Sequence, residues 1–286
     1  MNRNKAPTHP GAGFVIMGVV NVTPDSFSDG GRYLDASVAI EHGLELEAEG
    51  AAILDVGGES TRPGAAPVPE DEELRRVIPV IEGLLERGSG VRISIDTYKS
   101  GVAARALAAG ATMVNDVTAL RGDPEMAGLV ASAGAEYCLM HMLGEPRTMQ
   151  RDPHYDDVVN DIKAFLAERM MFAAQAGIGP ERILLDPGIG FGKTVAHNLE
   201  LLSRLDEFLD LGRPVLIGTS RKSFLGRLTG RDVDDRVAAT IATCVLAYER
   251  GARVFRVHDV APVRDALTVT AATVSAPWTT PTSTTR

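Results

Sequence analysis

Two cysteines, one tryptophan and no long apolar run are the first things to note in a chain of 286 residues. Two thiols in a chain this long exclude a disulfide framework and point to a reducing compartment. Cys138 lies in the apolar "EYCLMH" and Cys244 in the helical "ATIATCVLAYERG", and both read as core packing. No apolar stretch reaches the ~18 residues of a membrane span, and "MNRNKAPTHPGAG" lacks the apolar heart of a signal peptide. The expectation is a cytoplasmic, soluble protein with no membrane partner. Positive charge is also scarce, since 29 Lys and Arg face 38 Asp and Glu for a net −9. That argues against a nucleic-acid surface, but not against a small anionic substrate held by local basic residues.

Several familiar motifs are missing as well. "GIGFGKT" (188–194) resembles a phosphate-binding P-loop, but three residues rather than four separate Gly188 from Gly192. Gly190 and Gly192 do not fit G-x-G-x-x-G. No Cys/His cluster has zinc spacing, and there is no G-x-S-x-G elbow.

What the chain does have is a repeating order. β-rich apolar runs occur at 14–20, 51–58, 91–97, 112–117, 136–141, 183–188, 214–220 and 253–259. Amphipathic stretches alternate with them, the first reading as a helix capped by Asp35 and closed on Gly50. Eight strands, each followed by a helix, predict an α/β fold, a single (β/α)8 TIM barrel. An open doubly wound sheet is the alternative. The barrel is expected over residues 13–275, with a flexible tail at 1–12 and a Thr/Pro-rich disordered tail at 276–286.

The strand ends are polar: Asn21, Asp96, Asn115 with Asp116, His141, Asp186, Ser220-Arg221-Lys222, and Arg256 with His258. Arg256 and His258 are two apart and share one face of their strand. At the C-terminal mouth of a barrel such residues form a polar cup, and burying them without partners would cost several kcal/mol each. Ordinary structural uses compete at some positions. Asp55 reads as an acceptor for backbone amides of its following loop, and Asp96 has an alternative use as a helix cap. One of Asn115 and Asp116 is expected to be structural. His141 reads as a rim residue, and His42, His154 and His197 as solvated or structural. Arg256 has no evident structural use without an anion. The ten residues after Asn21 are too long for a simple turn, which marks them as part of a site.

Eight strings, "MGVVNVTPDSFSDGG", "LDVGGESTRPGA", "SIDTYKS", "NDV", "LMHMLGEPRTM", "DPGIGFGKT", "GTSRKSF" and "RVHDV", occur in this order. Together they resemble the dihydropteroate synthase family of pterin-binding TIM barrels, in its single-function bacterial form. The resemblance implies a transferase of folate biosynthesis, the target of sulfonamides. It condenses 6-hydroxymethyl-7,8-dihydropterin diphosphate with p-aminobenzoate, giving 7,8-dihydropteroate and pyrophosphate. The implied path is dissociative, through a pterin methylene cation, with Mg2+ as cofactor and a homodimer as the assembly.

Roles follow by resemblance. Asn21 would help hold Mg2+, and Arg256 and His258 the diphosphate, with Thr61 and Arg62 assisting. Asp96, Asn115 and Asp186 would hydrogen-bond the pterin with Lys222, and Asp96 would face the developing cation. Pro63, Phe191 and Ser220 would line the p-aminobenzoate site near Lys222, and Met140 would pack beneath the pterin. Asp96, Lys222 and Arg256 are the implied catalytic residues. Residues 22–31 and "ESTRPGAAPVP" read as two lids. A pterin-dependent methyltransferase would share the pterin-binding groups but needs no diphosphate anchor, and a catalytically inactive pterin-binding paralogue would be expected to lose cup residues.

Overall fold

The computed structural model describes residues 13–23, 32–62 and 64–275. Both expected tails, most of the first loop and Pro63 lie outside these residues. Eight parallel strands are present: β1 Val15–Asn21, β2 Ile53–Gly57, β3 Arg92–Asp96, β4 Met113–Asp116, β5 Glu136–Met140, β6 Ile183–Asp186, β7 Leu216–Ile217 and β8 Val254–Val257. Their order, β6-β5-β4-β3-β2-β1-β8-β7, is closed by a parallel bridge between Leu185 and Val215. Among the described residues the helices are α1 Arg32–Glu49, α2 Glu70–Glu86, α3 Ser100–Ala109, α4 Met126–Ala133, α5 Val158–Gln175, α6 Val195–Ser203, α7 Ser223–Thr229, α8 Val237–Glu249 and α9 Val260–Ser275.

Alternation along the strands sorts the apolar residues into two cores. Met17, Ile53, Met113, Cys138, Leu184, Leu216 and Val254 face inward and plug the barrel. Their neighbours one position along, such as Leu54, Val114, Leu185 and Phe255, face outward and pack with residues of the helices, Leu46 and Leu84 among them. Continuing the inward series two residues past the plug brings Asp55, Asn115, Asp186 and Arg256 to the mouth. The polar layer is thus the next inward layer above an apolar floor.

Several details differ from the sequence expectation. Helix α1 begins at Arg32, so Asp35 lies within it and is not its cap. Strand β7 is only two residues long, because Val215 serves as a bridge to β6 and an acceptor for Arg253 and Val254. The expected helix over "NLELLSRLDEFLDLG" splits into α6 and a 3-10 turn, Leu205–Leu211. The short helix α7 was not expected. No described helix is long and apolar enough to cross a membrane.

Asp116 shows why one residue of the Asn-Asp pair is structural. Its Oδ1 accepts from Thr118 N and Oγ1, both at 2.7 Å, and its Oδ2 accepts from Leu120 N at 2.8 Å and from the buried Tyr137 hydroxyl. These bonds hold a turn in which Ala119 and Leu120 both have positive φ, 53° and 64°, a conformation that costs of order 1–3 kcal/mol per residue. Arg169 of α5 donates to both carbonyls of that turn, at 2.8 and 3.3 Å. Replacing Asp116 by Ala strands four buried or half-buried donors. We expect a loss of about 3 kcal/mol in stability, read as a lower midpoint in urea with an unchanged slope.

Candidate active site

Arg256 is the centre of the cup. Its Nε donates to Asp55 Oδ2 at 2.6 Å and its Nη2 donates to Asp96 Oδ2 at 2.7 Å. Asp55 Oδ2 also accepts from Asn115 Nδ2 at 3.0 Å. Strands β2, β3, β4 and β8 are therefore joined at their C-terminal ends by one ion-paired network. Asp55 corrects the sequence reading: it bonds the cup rather than the following loop, because it occupies the inward register position between Ile53 and Gly57. Arg256, expected to need an external anion, has two carboxylates of its own. Asp96 does not cap α3, whose first amide, Ser100 N, is met by Asp123 at 2.9 Å. Gly57 makes room for it, since a Cβ there would lie 3.3 Å from that of Asp96.

Burial dominates the charges. It raises the Asp96 carboxyl to about 7 against the opposing pull of Arg256, with Asp55 adding to the rise. Asp186 is raised for the same reason, opposed by Lys222. Lys222 is lowered to about 8 by burial, although Asp186 supports its charge. Burial also works against the Arg256 cation, but Asp55 and Asp96 more than offset it. His258 is lowered to about 4, by burial first and then by Arg256 and Arg221, so it is neutral near pH 7. Its Nδ1 lies 2.9 Å from Ser220 Oγ, which also accepts from the His258 amide at 3.1 Å.

The β6–α6 loop forms one wall. Asp186 Oδ1 accepts from Gly188 N at 2.7 Å. Gly188 has φ 69°, and a Cβ there would strike the His141 carbonyl at 1.9 Å, so only glycine fits. Lys222 donates to Ile189 O and sits 4.5 Å from the centre of the Phe191 ring. Phe191 packs on Met140, Met142, Met149 and Val117, an apolar patch beside the polar network.

Lys193 was missed as a part of this wall. It is buried, lies 3.0 Å from His141 Nδ1 and donates to Phe191 O at 2.9 Å. Burial and the Lys193 charge push His141 down to about 2, so the ring is neutral near pH 7. The signal in the sequence is Gly192-Lys193-Thr194 entering a helix, a string whose likeness to a P-loop hides this use of the lysine. Thr194 is in fact the N-cap of α6, in a capping box with His197.

The remaining expected residues stand further from the network. Asn21 is half-buried at the end of β1, opposite Gly57. Thr61 lines a cavity of about 410 Å3 between the β2–α2 loop and the loops after β3, β4 and β5, together with Tyr98, Arg121 and Met142. Arg62 is exposed, but its charge reaches His258. Arg221, beside Lys222, turns away to pair with Asp259 at 2.6 Å.

The comparisons with known proteins agree with this fold. The sequence pattern of the family described as "Pterin binding enzyme" matches residues 17–258. The chain belongs to the dihydropteroate synthase family of pterin-binding enzymes. It is 46% identical over 261 residues to the dihydropteroate synthase of Escherichia coli K12, covering 91% of this chain and 92% of that protein. The synthase of Mycobacterium leprae is 48% identical over 265 residues, 90% of this chain and 92% of that one. Among solved structures, the Xanthomonas albilineans dihydropteroate synthase with 4-aminobenzoic acid matches with a TM-score of 0.87 and 52% identity, covering 92% and 94% of the two chains. The Yersinia pestis synthase in complex with a sulfonamide drug gives 0.87 and 44%, with the same coverage.

Removing the central cation has a signed pH dependence. In wild type, Asp96 has a folded-state pKa raised from 3.8 to about 7, so its contribution to stability is full below 3.8 and is lost as pH rises through 7. Without Arg256 that pKa rises further. Arg256→Met is expected to cost about 3–5 kcal/mol at pH 8, and less at pH 5, where Asp96 takes up its proton. Denaturant unfolding at the two pH values measures the difference.

Proposed function

We propose that the chain forms 7,8-dihydropteroate from 6-hydroxymethyl-7,8-dihydropterin diphosphate and p-aminobenzoate, with release of pyrophosphate. The observation that carries this reading is the convergence of Asp55, Asp96, Asn115 and Asp186 with Arg256 and Lys222 at one mouth of a family barrel. A pterin presents an amide and an amino group on one edge, and carboxylate and carboxamide side chains complement both. Asp96, Asn115, Asp186 and Lys222 are suited to that edge, above Met140. Arg256, with His258, Thr61 and Arg62, faces the diphosphate, and a guanidinium gives paired contacts to phosphate oxygens.

The reaction needs no covalent nucleophile. The methylene carbon–oxygen bond breaks and pyrophosphate leaves with the electron pair. Asp96 stands ready to stabilise the cation left behind, and Arg256 the departing charge. The amine of p-aminobenzoate, seated by Phe191 and Ser220 near Lys222, then supplies its lone pair to the carbon and gives up a proton. Sulfonamides would compete for this second position.

Asn21 brings one carboxamide oxygen to the diphosphate end of the cup. Among the described residues no cluster of three His, Cys, Asp or Glu could chelate a metal. Such a donor set fits Mg2+ held mainly by diphosphate oxygens and water, as is common for this ion. When bound, Mg2+ would neutralise charge on the leaving group. We extend the reading to a homodimer, supported by exposed Leu199, Leu228 and Leu246 on the adjacent helices α6, α7 and α8. A reducing cytoplasmic setting is supported by two free, buried cysteines.

Pyrophosphate release is the test, measured with the pterin diphosphate and Mg2+, with and without p-aminobenzoate. Release coupled to dihydropteroate formation is expected, whereas tight binding without turnover would contradict the reading. The pH profile follows from the cup. In kcat/KM for the pterin diphosphate we expect an acid limb near pH 7 from Asp96 and an alkaline limb near pH 8 from Lys222. Asp96→Asn should abolish the acid limb and lower kcat/KM by about a hundredfold.

A further inference from the structure

The β2–α2 loop, residues 58–69, is fastened at points that the chemistry above does not use. At its root, Arg76 Nη1 donates to Gly58 O at 2.8 Å. Glu59 Oε2 accepts from Val68 N at 3.1 Å, which closes the loop across nine residues, and from Lys99 Nζ at 2.5 Å. Lys99 also donates to Glu73, a residue of α2 with no exposed surface. Lys99 lies over the Tyr98 ring, 4.7 Å from its centre. At the tip, Gly64 N donates to Pro146 O of the β5–α5 loop at 3.2 Å. Thr61 and Arg62 lie between these fastenings.

The root is an expensive way to hold a loop. Two carboxylates share one ammonium, with side-chain exposures of 12% for Glu59, 1% for Glu73 and 13% for Lys99. Glu73 Oε1 is buried without a partner, and burial raises the Glu73 carboxyl even beside Lys99. Apolar residues of similar volume would hold α2 against the strands as well or better. What they could not do is accept the Val68 amide while gripping a residue from β3's exit. The cluster fixes geometry rather than adding stability.

We propose that Glu59, gripped by Lys99, which Glu73 holds from α2, is a positioning residue for the second substrate: it closes the root of the 58–69 loop and so sets that loop at the mouth before the arylamine arrives. This rests on the synthase reading, in which Pro63 of that loop is expected at the p-aminobenzoate position while Thr61 and Arg62 only assist Arg256 and His258 at the diphosphate. The pterin diphosphate is held chiefly from the strand ends, so the two substrates should respond differently.

The discriminating variant is Glu59→Ala, which cuts the loop from its root and leaves the Lys99–Glu73 pair intact. We expect KM for p-aminobenzoate to rise about tenfold, with kcat at saturation within about twofold. The pterin diphosphate Kd, by calorimetry, should rise by less than the p-aminobenzoate KM, because Thr61 and Arg62 only assist there, and amide exchange over 59–68 should quicken by about tenfold with the remaining strands unchanged. Glu59→Gln, which keeps an acceptor for Val68, should recover most of the KM, and it serves if the alanine variant fails to fold. An unchanged KM overturns the proposal, even with faster exchange, because the clamp would then be only a structural tie. A fall in kcat at constant KM overturns it too. If the wild type makes no dihydropteroate the functional reading fails separately, and unchanged exchange over 59–68 would still refute the clamp.

Discussion

Arg256 stands between Asp55 and Asp96, donating to each through a different nitrogen, and the mouth of the barrel is organised around that contact. Three carboxylates, Asp55, Asp96 and Asp186, meet two cations, Arg256 and Lys222, above a floor that includes Cys138 and Met113. With too few cations and little water, one carboxyl is held protonated close to neutrality. The same shortage leaves the carboxylates ready to receive a ligand that offers N–H donors. Asn115 depends on this arrangement, since its amide donates to the oxygen of Asp55 that also receives Arg256.

The strands supply the cup and the loops supply its walls, and the two are stabilised differently. Strand residues are placed by register, where a shift of one would turn Asp55 and Arg256 toward the helices. Loop residues are placed by buried polar ties: Asp116 and Arg169 on the turn after β4, Lys193 on the loop after β6, and Glu59 with Lys99 on the loop after β2. Each tie leaves a large polar group deep in the protein. That is costly for stability and informative about geometry, because an apolar contact would not fix a backbone carbonyl or amide in place.

Much of the fold was legible because strand periodicity and strand ends are local features. The eight runs, the inward facing of Arg256 and His258, and the separate fates of Asn115 and Asp116 all follow from alternation. What alternation could not reveal were partners brought together by barrel closure. Asp55 and Arg256 are 201 residues apart, so the aspartate looked like a loop cap. Lys193 was hidden because a Gly-Lys-Thr suggests phosphate binding, while its partner His141 comes from another strand. Strand β7 looked long because its apolar run continues into residues that bridge to β6 without forming a ladder. The start of α1 was misplaced because Asp35 is a good capping residue that falls inside the helix.

The charge shortage is the central claim, and infrared spectroscopy tests it most directly. The carboxylic acid C=O stretch should be followed with pH in the wild type and in Asp96→Asn, without substrate. A buried carboxylic acid band is predicted to persist above pH 5 and to vanish through about pH 7, and the Asp96 share of it to be missing from the variant, where the raised carboxyls of Asp186 and Glu73 remain. If every carboxyl has ionised by about pH 5, as ordinary solvated Asp and Glu do, Arg256 already balances the cup and this account of its electrostatics is wrong.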